Sequence, residues 1–146
     1  MTSFSAQVKD WTKRTEKAQG HIFKSATQKL VDAMLLSRQR GGNMPVVTGN
    51  LYRSLMASTS AMPSVRAGVQ EFPDNSGQVA MTINSANLGD TIYLGFQAAY
   101  ARRVNYGFVG TDSLGRKYNQ TGANFVDLAA QRWQSFVDEA IREYDA

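Results

Sequence analysis

The chain has 146 residues, 42% of them hydrophobic and 19% charged, with a formal net charge of +4 and no cysteine. That composition fits one ordinary globular domain able to bury a core, and it excludes disulfide staples and thiolate metal sites. No apolar run reaches the roughly 20 residues of a membrane span, and Met1-Thr2-Ser3-Phe4-Ser5 lacks a signal-peptide pattern, so cytoplasmic synthesis with no membrane partner is expected.

Ser3 can cap a first helix that runs to about Gln39. Phe4, Val8, Trp11, Ala18, Ile22, Ala26, Leu30 and Ala33 recur at helical spacing along it. A helix of about 35 residues would extend roughly 50 Å, longer than a domain of this size is wide. It either breaks near Gly20 and folds back, or projects its first half, about residues 1–20, as an arm. The second is preferred, because Phe4, Val8 and Trp11 on a polar, basic arm make a docking anchor for a partner. Bases dominate from Lys9 to Arg40, and acids dominate from Asp127 onward. Such asymmetry points to a nearby polyanion or to head-to-tail pairing of copies through unlike surfaces.

Gly41-Gly42 ends the helical pattern, and Pro45 keeps Met44 extended. Thr48 can then cap a short helix, its hydroxyl accepting the N–H of Asn50 or Leu51, with Leu51 to Met56 turning behind it. Residues 58–69 read as a loop or edge strand interrupted by Pro63. Val79, Met81 and Ile83 alternate within Gln78 to Asn84, as in a half-buried strand, and Thr91 to Phe96 reads as its partner in an antiparallel meander. Tyr100 and Val104 lie one helical turn apart in a short helix ended by Gly107. Residues 108–122 form a hairpin with its tip at Asp112 to Gly115, or a mobile loop. Asn124 can cap a last helix with a broad apolar stripe including Phe125, Trp133, Phe136 and Ala140. The expected fold is a single α+β domain: a long N-terminal helix, a small antiparallel sheet of about three or four strands with short helices, and a C-terminal amphipathic helix packed on the sheet.

Chemistry is sparse. His21 is the only histidine, which leaves a histidine metal site or a conventional triad without its parts. No phosphate-binding glycine loop is present, and the carboxylates Glu71, Asp74, Asp90 and Asp112 are scattered over turns. No catalytic residue, cofactor or metal is therefore expected. Arg102-Arg103 and Arg116-Lys117 can face phosphate or a protein interface, because backbone contact needs charge and no sequence-reading motif.

Two segments carry a resemblance. Pro45-Val46-Val47-Thr48-Gly49-Asn50-Leu51-Tyr52-Arg53-Ser54-Leu55 resembles the P-V-D-T-G-N-L-R-x-S-L signature of the tail-completion, or head–tail joining, proteins of tailed bacteriophages. Tyr100-Ala101-Arg102-Arg103-Val104-Asn105-Tyr106-Gly107 is similar to the Y-A-x-x-V-E-x-G that follows it there. Val47 stands where the pattern has aspartate and Asn105 where it has glutamate, and residues 108–122 lack the prolines common in relatives. The resemblance implies a structural role for Pro45, Thr48, Gly49, Asn50, Leu51, Ser54, Tyr100, Val104 and Gly107. It also implies a ring, commonly sixfold, in the virion neck between the portal-side connector and the tail terminator or tail tube, through which double-stranded DNA passes unread. A ring needs heterologous contacts between copies, and a basic first helix against an acidic last one would suit them. The alternatives are a tail terminator capping the tube and a sequence-independent duplex-binding protein.

Overall fold

The computed structural model describes residues 3–46, 48–111 and 113–145. Val47 and Asp112, which enter the sequence reading above, lie outside them. The fold is α+β, in the order α1 (Phe4–Leu35), α2 (Asn50–Arg53), β1 (Leu55–Ser58), α3 (Ser76–Ser85), β2 (Tyr93–Phe96), α4 (Ala101–Tyr106), β3 (Gly107–Thr111), β4 (Lys117–Thr121), α5 (Phe125–Ala130) and α6 (Trp133–Asp145).

Helix α1 starts where Ser3 accepts the Ala6 N–H, and runs unbroken through Gly20. It stops at Leu35 rather than Gln39, because Ser37 leaves the helix to bridge Met44. The tight return between them is closed by Met44 N–H to Leu36 C=O and by Arg38 N–H to Met44 C=O, with a short 3-10 turn at Arg38–Arg40. This return drops Met44 into the core with no exposed surface.

The sheet differs from the expected meander. Among the described residues, four strands form two separate antiparallel pairs, β1 with β2 and β3 with β4. The predicted strand Gln78 to Asn84 is instead helix α3. Val79 and Ile83 fit either reading, since residues four apart share a face in a helix as they do in a strand. Met81 decides: it is 71% exposed, whereas Val79 and Ile83 pack under β1 with Val31, Met34 and Leu55. β1 needs no third strand, because the Gln78 side chain takes the place of one. Its Oε1 accepts the Ala57 N–H at 3.1 Å, and its Nε2 donates to the Ala57 carbonyl at 2.6 Å. The helical run behind Thr48 is also shorter than expected, ending at Arg53 so that Leu55 and Met56 enter β1. Of the hairpin and loop readings for residues 108–122 the described ones take the hairpin, with Gly107–Thr111 paired to Lys117–Thr121 and Gly115 at positive φ in the turn.

The last helix is two helices. α5 packs into the body, Phe125 meeting Phe96 edge-on at 5.3 Å, while α6 lies on α1 and not on the sheet. The break at Gln131–Arg132 lets one apolar stripe serve two surfaces: Phe136 and Ala140 face Ala26 of α1, and Trp133 meets Phe23. His21 stacks obliquely on Tyr144. The basic and acidic helices thus pair in part within one chain. Lys29 lies 2.8 Å from Glu143 and 3.7 Å from Glu139. The Glu143 hydrogen bond foremost, with the nearby negative charges, holds the Lys29 pKa above its ordinary value against desolvation. That contribution is fully present below the unfolded amine's value of 10.5 and is lost as pH rises through the folded one. Lys29→Met is expected to cost about 0.5–1 kcal/mol at neutral pH. Urea midpoints taken at rising pH should converge with wild type in strong alkali; a constant gap would assign the loss to packing instead.

Candidate functional site

The two segments that carry the resemblance meet in space. Gly49, in the left-handed conformation at φ 79°, turns the chain into α2. The cap position expected at Thr48 falls on Gly49 instead and carries no side-chain capping bond, although the Thr48 hydroxyl does accept the Asn50 N–H at 3.3 Å as a local turn. Leu51 and Ser54 are buried, and the Ser54 hydroxyl returns to the Leu51 carbonyl at 2.8 Å.

Asn50 is the hub. Only 7% exposed, it accepts the Phe72 N–H on Oδ1 at 2.8 Å and donates from Nδ2 to the Tyr100 hydroxyl at 3.3 Å. One turn on, Arg53 Nε donates to the Phe72 carbonyl at 2.8 Å. Asn50 and Arg53 therefore satisfy both backbone groups of a residue whose ring is buried with Met44, Leu51 and Phe125. Beyond it, Asn75 donates to the Arg53 carbonyl, and the Ser76 N–H bonds Asp74 Oδ1. The Ser76 backbone bond foremost, then its hydroxyl and the Arg53 charge, hold the Asp74 carboxyl below its ordinary pKa.

The second segment works the same way on the other side. Tyr100 opens α4 and Gly107 closes it, with the Gly107 N–H on the Arg103 carbonyl. Asn105, 4% exposed, accepts the Val126 N–H on Oδ1 at 3.0 Å and donates to Asp127 at 3.3 Å. Asn124 holds the cap position of α5 but at φ 53° makes no capping bond itself, so Asn105 caps that helix from a distance. The Val104 and Asn105 carbonyls receive the N–H groups of Ala123 and Asn124.

Where the segments join, Pro45, Leu51, Tyr52, Tyr100, Val104 and Arg38 border a cleft of about 390 Å³. A second cleft of about 640 Å³ shares Tyr100 and Val104 with the first and is bordered besides by Arg103, Phe108, Arg116 and Tyr118. Arg103 lies over the Phe108 ring at 4.2 Å. The second cleft thus brings Arg103 and Arg116 together, while Arg102 and Lys117 stand exposed beside it without bordering it.

Phe4, Val8 and Trp11 are remote from both clefts, on the first turns of α1, where they are 80%, 45% and 61% exposed. Lys9, Lys13, Arg14 and Lys17 are exposed around them.

Sequence reasoning missed the roles of Asn105, Arg53 and Gln78. Asparagine, glutamine and arginine in these roles look like any polar surface residue until their backbone partners are known. No described residues group three or more histidines or carboxylates as metal ligands, and no described helix is long and apolar enough to cross a membrane. The arrangement can hold its own backbone rigidly, present a grooved basic surface and extend an apolar arm. No protein-family model matches the chain, and neither a curated protein nor a solved structure matches it.

Proposed function

We propose that the chain is a structural protein of a tailed-phage neck: a tail-completion or head–tail connector subunit that forms a ring, sixfold as its resemblance implies. In this reading the ring sits between the portal-side connector and the tail, and duplex DNA passes through it unread. The chain then works in the virion after synthesis in the host cytoplasm, with neighbouring neck proteins and the tail terminator or tail tube as partners, and with no catalysis and no cofactor.

The observation that carries this reading is the meeting of the two signature segments. Remote in sequence, they join through the Asn50–Tyr100 bond and border one cleft. Short matches arising by chance have no reason to converge on one junction, whereas parts of one architecture do. The exposed apolar stripe of α1 adds a surface suited to docking. Negative-stain microscopy of the purified chain, alone and mixed with the connector and tail proteins of its own genome, tests the reading. Rings support it; a chain that neither self-associates nor binds any of them sinks it. Mass spectrometry of necks separated from isolated tails distinguishes the joint from a tail terminator.

A second reading, sequence-independent binding of duplex DNA, is favoured by the adjacent exposed Arg102 and Arg103 on α4, with Arg116 and Lys117 exposed at the hairpin. Replacing Arg102 and Arg103 together by alanine is then expected to flatten the slope of log affinity against log salt by about 2. Absence of duplex binding at low salt removes this reading.

A further inference from the structure

Along α1, Phe4, Val8, Trp11, Thr15, Ala18 and Ile22 fall at alternating steps of four and three. That is the spacing of a coiled-coil seam, which meets another helix rather than a flat surface. Farther along α1 the same stripe already meets one: Ile22, Ala26, Leu30 and Ala33 pack on α6. Toward the N-terminus the cover stops and the stripe continues exposed. Because α1 is a single continuous helix, its first turns cannot fold back onto their own body. Among the described residues, no element supplies the covering helix for these turns.

We propose that this helix is the arm of a second copy, lying antiparallel. The positions flanking the seam are Ser5, Thr12 and Gln19 on one side and Gln7, Arg14 and His21 on the other, His21 lying against Tyr144 of its own chain. Arg14 is tied to Asp10 at 3.3 Å. Lys9, Lys13 and Lys17 fall at the outer heptad positions. Two identical arms therefore meet without facing like charges, and a partner selected by charge would find the lysines turned away from the seam. The hydroxyls of Thr12 and Thr15 return to the Val8 and Trp11 carbonyls, both at 2.9 Å, and bring no unmet donor into the contact.

Direction follows from α6. A parallel partner would run on into residues 22–33, where α6 already occupies the stripe; an antiparallel partner runs the other way along the seam, away from α6. In that register Val8 meets Trp11 of the second copy, Phe4 meets Thr15, and Ser5 flanks Thr12. Aromatic side chains bury roughly 150–250 Å² each, so the two arms together remove on the order of 1,000 Å². That lies at the lower edge of stable interfaces, and the pairing is concentration-dependent.

The inference stands apart from the neck reading. Sedimentation velocity from low micromolar to several hundred micromolar should show wild-type dimers, with Trp11→Ala weakening the association by about tenfold or more. Circular dichroism should stay unchanged, since Trp11 touches no core. The chain has no native cysteine, so a short bismaleimide reads the register cleanly. An equimolar mixture of Ser5→Cys and Thr12→Cys should cross-link as the mixed pair, while Lys13→Cys should not. Persistent monomers, a Trp11→Ala variant that associates like wild type, or equal cross-linking through Lys13→Cys each overturns the pairing. Rings that the Trp11→Ala variant forms as readily as wild type, with no arm cross-link in either, would overturn the pairing and leave the neck reading standing. Arm-dependent dimers that never join neck proteins would do the reverse.

Discussion

Gly107→Ala is expected to lower the unfolding free energy by about 3–5 kcal/mol, a large part of what holds a domain of this size together. Two costs add. Gly107 sits at φ 87° and ψ 173°, a conformation essentially reserved for glycine. A Cβ there would also stand 2.5 Å from the Gln120 carbonyl oxygen and 2.8 Å from the Gly122 nitrogen, both backbone atoms that cannot rotate away. Gly122 is the reciprocal case, its Cβ falling 2.5 Å from the Asn105 carbonyl oxygen. The two glycines let the root of the hairpin press on the end of α4, so that the carbonyls of Val104 and Asn105 can hold residues 123–124. Guanidinium unfolding of Gly107→Ala and Gly122→Ala checks this. Losses under about 1 kcal/mol in both would mean that the contact yields freely and the tight root is not needed.

Asn50→Ala should cost about 2–4 kcal/mol, because it leaves the Phe72 N–H buried without an acceptor and removes the link to Tyr100. The amide orientation is fixed by need: the Phe72 N–H requires an oxygen, which sends the nitrogen to the tyrosine. Tyr100→Phe removes only the weaker end of this chain and is expected to cost about 0.5–1.5 kcal/mol. A double-mutant cycle between Asn50 and Tyr100 should therefore return a coupling well below the Asn50→Ala loss. If Tyr100→Phe proves as damaging as Asn50→Ala, the junction between the segments rather than the Phe72 clamp carries the energy.

The sequence was most readable where a single element had to satisfy one long pattern. The 3.6-residue stripe of α1, the Ser3 cap and the exposure of Phe4, Val8 and Trp11 could all be read directly, as could the short α4 helix closed by Gly107. It misled where two periods coincide: Val79 and Ile83 suit a strand as well as a helix, and only the exposure of Met81 and the Gln78 amide on β1 separate the two. It also merged α5 and α6, because one apolar stripe can be shared between a sheet-side and a helix-side surface once two residues turn between them. At the candidate site the positions were legible and their work was not. Asn50 read as a neighbour of a cap, and Asn105 only as a departure from a pattern. Each instead serves backbone groups more than 20 residues away, a relation no local spacing encodes.

The Gln78 amide seated on Ala57 has a consequence of its own. A strand with bare backbone along one side invites any other extended segment to dock there, which is how sheets grow into aggregates. One glutamine, held in place by α3, fills both ladder groups of Ala57 and closes that route on β1. One bare stretch of strand edge is thereby taken out of the surface through which copies of the chain could pair.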